Sequence, residues 1–147
     1  MFRHSLALIA LLGIAGCQAS TSISSPFGKG KDQEQRTQRA AFAASAQYPK
    51  EMKATTDLPA SALINRDQQT IRIVNSSDRA LRDVTVWVNG SYVAKVDTIP
   101  SHGIVTLRHG DFYDGAGTSL ANQKPTITRV ELQSQDKLYA LQGPVFE

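Results

Sequence analysis

The chain has 147 residues, 41% of them apolar and 20% charged, with a formal net charge of +3 and a single cysteine. That length and balance predict one globular domain rather than a disordered or multi-span membrane chain, and a lone cysteine excludes an internal disulfide. The charge is small, and no stripe of Lys and Arg interleaved with aromatics occurs, which argues against nucleic acid as a partner.

Residues 1–16 read MFRHSLALIALLGIAG. Arg3 and His4 form a positive start, Leu6 to Ile14 an apolar run, and Ala15-Gly16 the small residues of a cleavage site. This is the plan of an export signal peptide. The apolar run is too short for a bilayer, which takes roughly 20 residues, and no other stretch is long enough.

Ile14-Ala15-Gly16-Cys17 resembles the lipobox of bacterial lipoproteins, whose usual form is Leu-Ala-Gly-Cys; Ile replaces Leu at the first position. The resemblance implies that the signal is cut before Cys17, that the cysteine sulfur carries diacylglycerol, and that the new N-terminus is acylated. Several acyl chains, at roughly 0.8 kcal/mol per buried methylene, hold a soluble domain at a membrane surface. In enteric-type lipoproteins an Asp after the cysteine favours the inner membrane. Gln18 stands there instead, so the resemblance favours the outer membrane, with the domain facing the periplasm.

Residues 17–60 are expected to be a lipidated N-terminus and tether. The stretch QASTSISSPFGKGK, residues 18–31, is too polar and Gly/Ser-rich to bury a core. Residues 32–47 are better helix formers: Asp32 can cap, and Ala40, Ala41, Ala43, Ala44 and Ala46 have high propensity. Tyr48-Pro49 ends this helix, because the residue before proline is pushed out of the α region. Between Phe27 and Lys53 six basic residues face three acidic ones, whereas nine face ten from Ala54 to Glu147. A basic tether can lie on anionic head groups or be a solvated linker.

Residues 61–147 carry period-two patterning and predict an all-β sandwich or open barrel. Thr70–Ile73 alternates, then Asn75–Asp78 is turn-rich. Asp83–Val88 alternates again and runs into Asn89-Gly90, a strong hairpin signal because both residues tolerate positive φ. The return strand is Tyr92–Ile99, stopped by Pro100, and further strands are expected at Gly103–Arg108, Thr126–Gln133 and Lys137–Leu141. The stretch Ile71 to Gly90 resembles small immunoglobulin-like bacterial domains: a strand ending in Asn, a Ser/Asp turn, a Leu, then Asp-Val-x-Val. Phe112-Tyr113-Asp114-x-x-Gly117 is similar to the FxLYD type of domain. The resemblance implies an immunoglobulin-like β-sandwich without shared catalytic residues.

Two groups of residues are candidates for function. Trp87 and Tyr92 flank the hairpin turn. A two-residue loop sets them opposite each other as an aromatic binding face; a three-residue loop sends Tyr92, Ala94 and Val96 to the side of Val84, Val86 and Val88. Packing inside the protein, under a helix or in the core, is the alternative role for such aromatics. The second group is His109, Asp111 and Asp114 on a Gly-rich loop, with His102 nearby; one imidazole and two carboxylates can hold a metal or do acid–base work. The spacing matches no established ligand pattern, and Asp and Gly are also the residues of ordinary turns. No nucleophile elbow, phosphate loop or His-Glu-x-x-His occurs. The combined expectation is a lipid-anchored envelope protein, not an enzyme and without cofactor, whose sandwich binds another envelope protein or serves as a structural accessory. The alternative is a ligand- or metal-binding lipoprotein, or a small envelope enzyme, that uses the 109–114 loop.

Overall fold

The computed structural model describes residues 29–146. The signal peptide, Cys17 and the first part of the expected tether lie outside the described residues. Helix α1 (Lys29–Ser45) is followed by eight strands: β1 (Ala60–Asn65), β2 (Thr70–Asn75), β3 (Leu81–Val88), β4 (Tyr92–Ile99), β5 (Ile104–Arg108), β6 (Val130–Ser134), β7 (Lys137–Ala140) and β8 (Gln142–Phe146). A 3-10 turn, His109–Asp111, and a one-turn helix α2 (Leu120–Gln123) lie between β5 and β6. Among the described residues no helix is long and apolar enough to cross a membrane.

The strands form two four-stranded sheets, ordered β5-β2-β1-β8 and β4-β3-β6-β7. All pairings are antiparallel except β1 with β8, which run parallel. The inner faces of the two sheets supply one core: Ile64, Ile71 and Ile73 from the first, Val84, Val86, Val88, Ala94 and Leu132 from the second. The protein is therefore mostly β, with two sheets packed face to face as alternating apolar strands require. In β3 the alternation breaks at Asp83, which has φ +48°; beyond it Leu81 and Ile99, rather than Arg82 and Thr98, turn to the core.

The expected strand at Tyr92–Ile99 is observed with the same bounds, and that at 126–133 begins later, at Val130. β1 and β8 complete the first sheet as strands not expected from the pattern. The largest difference lies upstream. α1 does form, three residues earlier than expected, but it packs on the β4-β3-β6-β7 sheet and buries Ala43 to 2% exposure. From Arg39 onward the expected tether is part of the fold. Small side chains make this possible, since Ala40, Ala43 and Ala46 recur every three residues on one helix face and let the backbone approach the sheet.

The Ser/Asp-rich break after β2 is a crossing between sheets held by one side chain. Asn75 is fully buried. Its amide donates to the Arg79 and Pro100 carbonyls, at 2.9 Å each, and its oxygen accepts from the Ser77 backbone N–H at 3.1 Å and hydroxyl at 2.6 Å. One residue thereby ties the β2–β3 crossing to the turn after β4. Asn75→Ala should leave the part-buried Arg79 and Pro100 carbonyls short of a donor and lower stability by about 1–3 kcal/mol in urea unfolding; Ser77→Ala, which keeps both amide donations, should cost less.

Candidate functional site

The β3–β4 hairpin turns through three residues, Asn89, Gly90 and Ser91, pairing Val88 with Tyr92 and Trp87 with Val93. Asn89 and Gly90 take φ +54° and +67°. Gly90 meets a further constraint, since a Cβ there would lie 2.8 Å from the Arg129 guanidinium. Asn89 also works at a distance: its amide donates to the Thr126 carbonyl at 2.8 Å, and its oxygen accepts from the Thr128 and Arg129 backbone N–H groups at 2.9 and 3.2 Å. The loop length decides the aromatics. Tyr92 and Trp87 fall on opposite faces of the sheet, so they do not form a joint binding face. Tyr92 packs against the inter-sheet core, where burial and the Asp114 charge push its phenol above the usual value.

Trp87 points outward but is only 3% exposed, because α1 and the chain that follows it cover it together with Val93, Tyr113 and Leu138. Tyr48 meets the indole edge-on, ring centres 5.4 Å apart at 86°, and the indole N–H donates to Gln133 at 3.1 Å. The same Tyr48 hydroxyl lies 2.9 and 3.1 Å from the two oxygens of Glu131, a carboxylate 2% exposed on β6. Arg129 completes the set: its Nε is 3.2 Å from Glu131 and its guanidinium stands over the Tyr48 ring at 5.4 Å. Burial first, then the Glu131 hydrogen bond and charge, raise the Tyr48 phenol, against a smaller opposing effect of Arg129. Tyr48 and Glu131 were not singled out in the sequence; the available signal was Trp87 and Val93 paired on the outer face of β3 and β4, large apolar groups that a cover would bury.

The residues of the 109–114 loop are not gathered. Asp111 accepts from Arg39 of α1 at 2.6 Å and from the Arg108 backbone N–H at 2.8 Å, so it pins the helix to the 3-10 turn. Asp114 closes an Asx turn by accepting from Ala116 and Thr118 N–H groups. His102 is exposed and faces Asp78 at 2.8 Å. No three His, Cys, Asp or Glu side chains among the described residues are placed to share a metal ion.

His109 differs from these. Its backbone is fixed on both sides, N–H to the Gln69 carbonyl at 2.8 Å and carbonyl to the Phe112 N–H at 3.3 Å. Its ring is carried inward to 9% exposure, and Nε2 is buried with no hydrogen-bond partner. Leaving such an atom unpaired costs about 1–3 kcal/mol. Burial lowers the imidazole's pKa. His109 is among the residues lining a cavity of about 310 Å³ between the β1–β2 turn, α2 and the chain leading to β6, though Nε2 itself is sealed from it. A second hollow of about 280 Å³ lies under α1, between Phe42, Val93 and Leu107.

No protein-family model, curated protein or solved structure matches this chain significantly.

Two measurements check this geometry. Tyr48→Phe keeps the edge-on ring but strips a donor from the buried Glu131 carboxylate, and should lower stability by about 1.5–3 kcal/mol, the range for hydrogen bonds to charged groups. Trp87 fluorescence should stay native-like in the folded variant. For His109 the native pKa lies below the unfolded value of about 6.5, so the stability it contributes is complete above that pH and is lost as pH falls through the native value. His109→Gln should flatten the stability difference between about pH 7 and about pH 5 relative to the unsubstituted chain, measured by urea unfolding at each pH.

Proposed function

We propose that this chain is a lipid-anchored cell-envelope protein whose sandwich is a non-catalytic protein-binding or structural accessory module. The observation that carries the reading is Ile14-Ala15-Gly16-Cys17 directly behind the apolar run Leu6 to Ile14. The fold adds a length scale. Helix α1 opens at Lys29, twelve Cα steps beyond Cys17, and a chain of that length spans at most about 40 Å. An acylated Cys17 would hold the domain close against its membrane, and Gln18 favours the outer membrane with the domain facing the periplasm.

An immunoglobulin-like identity for the sandwich is supported by strand order. β1, β2 and β5 in one sheet and β4-β3-β6-β7 in the other follow the A-B-E and C′-C-F-G orders of such domains, with β8 added beside β1. Phe112-Tyr113-Asp114 falls in the connection between β5 and β6, so the FxLYD similarity contributes nothing to the strand alignment. The non-catalytic reading is supported by the separate structural engagements of His102, Asp111 and Asp114.

With Trp87 covered, contact with an envelope protein is assigned to the outer face of the β5-β2-β1 strands, which carries no buried cluster among the described residues. There Ser61, Val74 and Ile104 form one cross-strand row, and Ile104 is the one exposed large apolar side chain among the described residues, at 50%.

Cys17→Ser tests the anchor: the variant should lose its acyl mass and leave the membrane fraction after salt and carbonate washing. Persistence in the membrane would contradict the reading. For the module, a photoreactive side chain at position 104 should crosslink one defined envelope protein in cells. Folded Ile104→Asp should abolish that protein's co-purification; unchanged co-purification would remove this face from the account.

A further inference from the structure

We propose that the free edge of β5 is a strand-addition site, where an extended segment of a partner protein, carrying an acidic side chain, pairs with β5 in the slot between that edge and α1. The proposal rests on the protein-binding reading above and gives its mode.

The two sheets have four edge strands, β5, β8, β4 and β7, and an unguarded edge invites pairing with another chain. Three of them are guarded. Along β7, the Thr55 N–H donates to the Leu138 carbonyl at 2.9 Å and its carbonyl accepts from the Ala140 N–H at 2.8 Å. On β4, Val93 exchanges both backbone bonds with Tyr113, at 2.9 and 3.2 Å. The exposed Lys95 and Asp97 follow it, charges of the kind that discourage further pairing. β8 contains Pro144, which has no N–H to offer a neighbour. β5 has none of these devices between Ile104 and Leu107.

The direction of the β5 backbone groups follows from its bonds to β2. The Asn75 N–H donates to the Gly103 carbonyl at 2.9 Å, and the His109 N–H to the Gln69 carbonyl at 2.8 Å. By the alternation of an antiparallel ladder, residues 103, 105, 107 and 109 face β2, and Ile104, Thr106 and Arg108 turn their backbone groups outward. The Asp111 carboxylate takes the Arg108 N–H at 2.8 Å, which ends the free edge there. The N–H and C=O groups of Ile104 and Thr106 have no hydrogen-bond partner on that side among the described residues. Both side chains are exposed, Ile104 at 50%. An added strand would pair the backbone groups and give Ile104 a cross-strand neighbour.

A slot of about 370 Å³ adjoins Thr106 and Arg108, and Asp32, Gln35 and Arg36 of α1 line its other side. A strand lies about 4.8 Å from its neighbour, so one extended segment suits this slot. A second sandwich would bring its own sheet and helix against α1. The charge of the slot selects among segments. Arg39 is met by Asp111, which leaves Arg36 and Arg108 against Asp32. Neither arginine has an ion-pair partner among the described residues. A carboxylate on the incoming segment meets that excess, while main-chain bonds supply the affinity.

The test selects short random peptides, displayed on phage, against the full chain in detergent. Acidic sequences rich in β-branched residues should be enriched, and the leading peptide, made synthetically, should bind saturably. Thr106→Pro removes an outward N–H without touching the ladder to β2, and should weaken that peptide at least tenfold. Methylating alternate amides of the peptide gives a readout independent of any variant's folding: one alternate set should abolish binding and the other should not. Replacing both Arg36 and Arg108 by Gln should erase the peptide's preference for Glu over Gln. No enrichment over Thr106→Pro, an equal effect of the two methylated sets, or enrichment of basic sequences would overturn the proposal. So would a dimer of the full chain that Thr106→Pro abolishes, since the occupant would then be a second copy. If Ile104→Asp abolishes co-purification of the envelope protein and folded Thr106→Pro does not, strand addition falls and the binding face stands. If nothing crosslinks from position 104, both fall.

Discussion

Trp87, Val93 and Glu131 all point away from the inter-sheet core, and a sheet that presents an indole and a carboxylate side by side needs a cover that satisfies both. Tyr48 does so with one side chain. Its ring meets the indole edge-on, an arrangement contributing about 0.5–1.5 kcal/mol beyond the area buried, and its hydroxyl reaches the Glu131 carboxylate. A buried carboxylate is tolerated only when paired and hydrogen-bonded; here Arg129 from one side and Tyr48 from the other meet that condition. α1 is held from its far side by Arg39 on Asp111. The helix and the segment after it thus act as a strap across β4-β3-β6-β7, and Thr55 carries the strap along the outer edge of β7.

This strap gives the sandwich two unlike outer faces. One sheet is closed by the helix and its aromatics, whereas among the described residues no buried cluster forms on the outer face of β5-β2-β1, which carries Ile104. The long connection from β5 to β6 builds a third feature, the cavity at one end of the sandwich, where the 3-10 turn, α2 and the β1–β2 turn converge on His109.

Strands with clear alternation were legible in the sequence: β4 has its expected bounds, and β3 and β7 differ from expectation by a residue or two. β8 was not, because Gly143-Pro144 reads as a break and proline enters a sheet only at an edge, which is where β8 lies. The hairpin register was undecided because Asn89-Gly90 suits loops of two or three residues. The third residue, and with it the separation of Trp87 from Tyr92, follows from side-chain bonds between Asn89 and residues 126–129, forty positions along the chain. Likewise Asp111 and His109 look alike as loop residues in sequence, yet one is exposed enough to reach Arg39 and the other is turned inward. Local pattern does not encode that difference; the bond from His109 to Gln69 does.

Native-state hydrogen exchange of the α1 amides tests most directly whether the helix is part of the domain. If the strap holds as described, the amides of Ala40 to Ala43 should exchange with free energies approaching those of the β3 amides, because they open only when the outer face is uncovered. If those amides exchange at the rates of an isolated, fraying helix while β3 remains protected, α1 is an appendage. The closed outer face would then be contradicted.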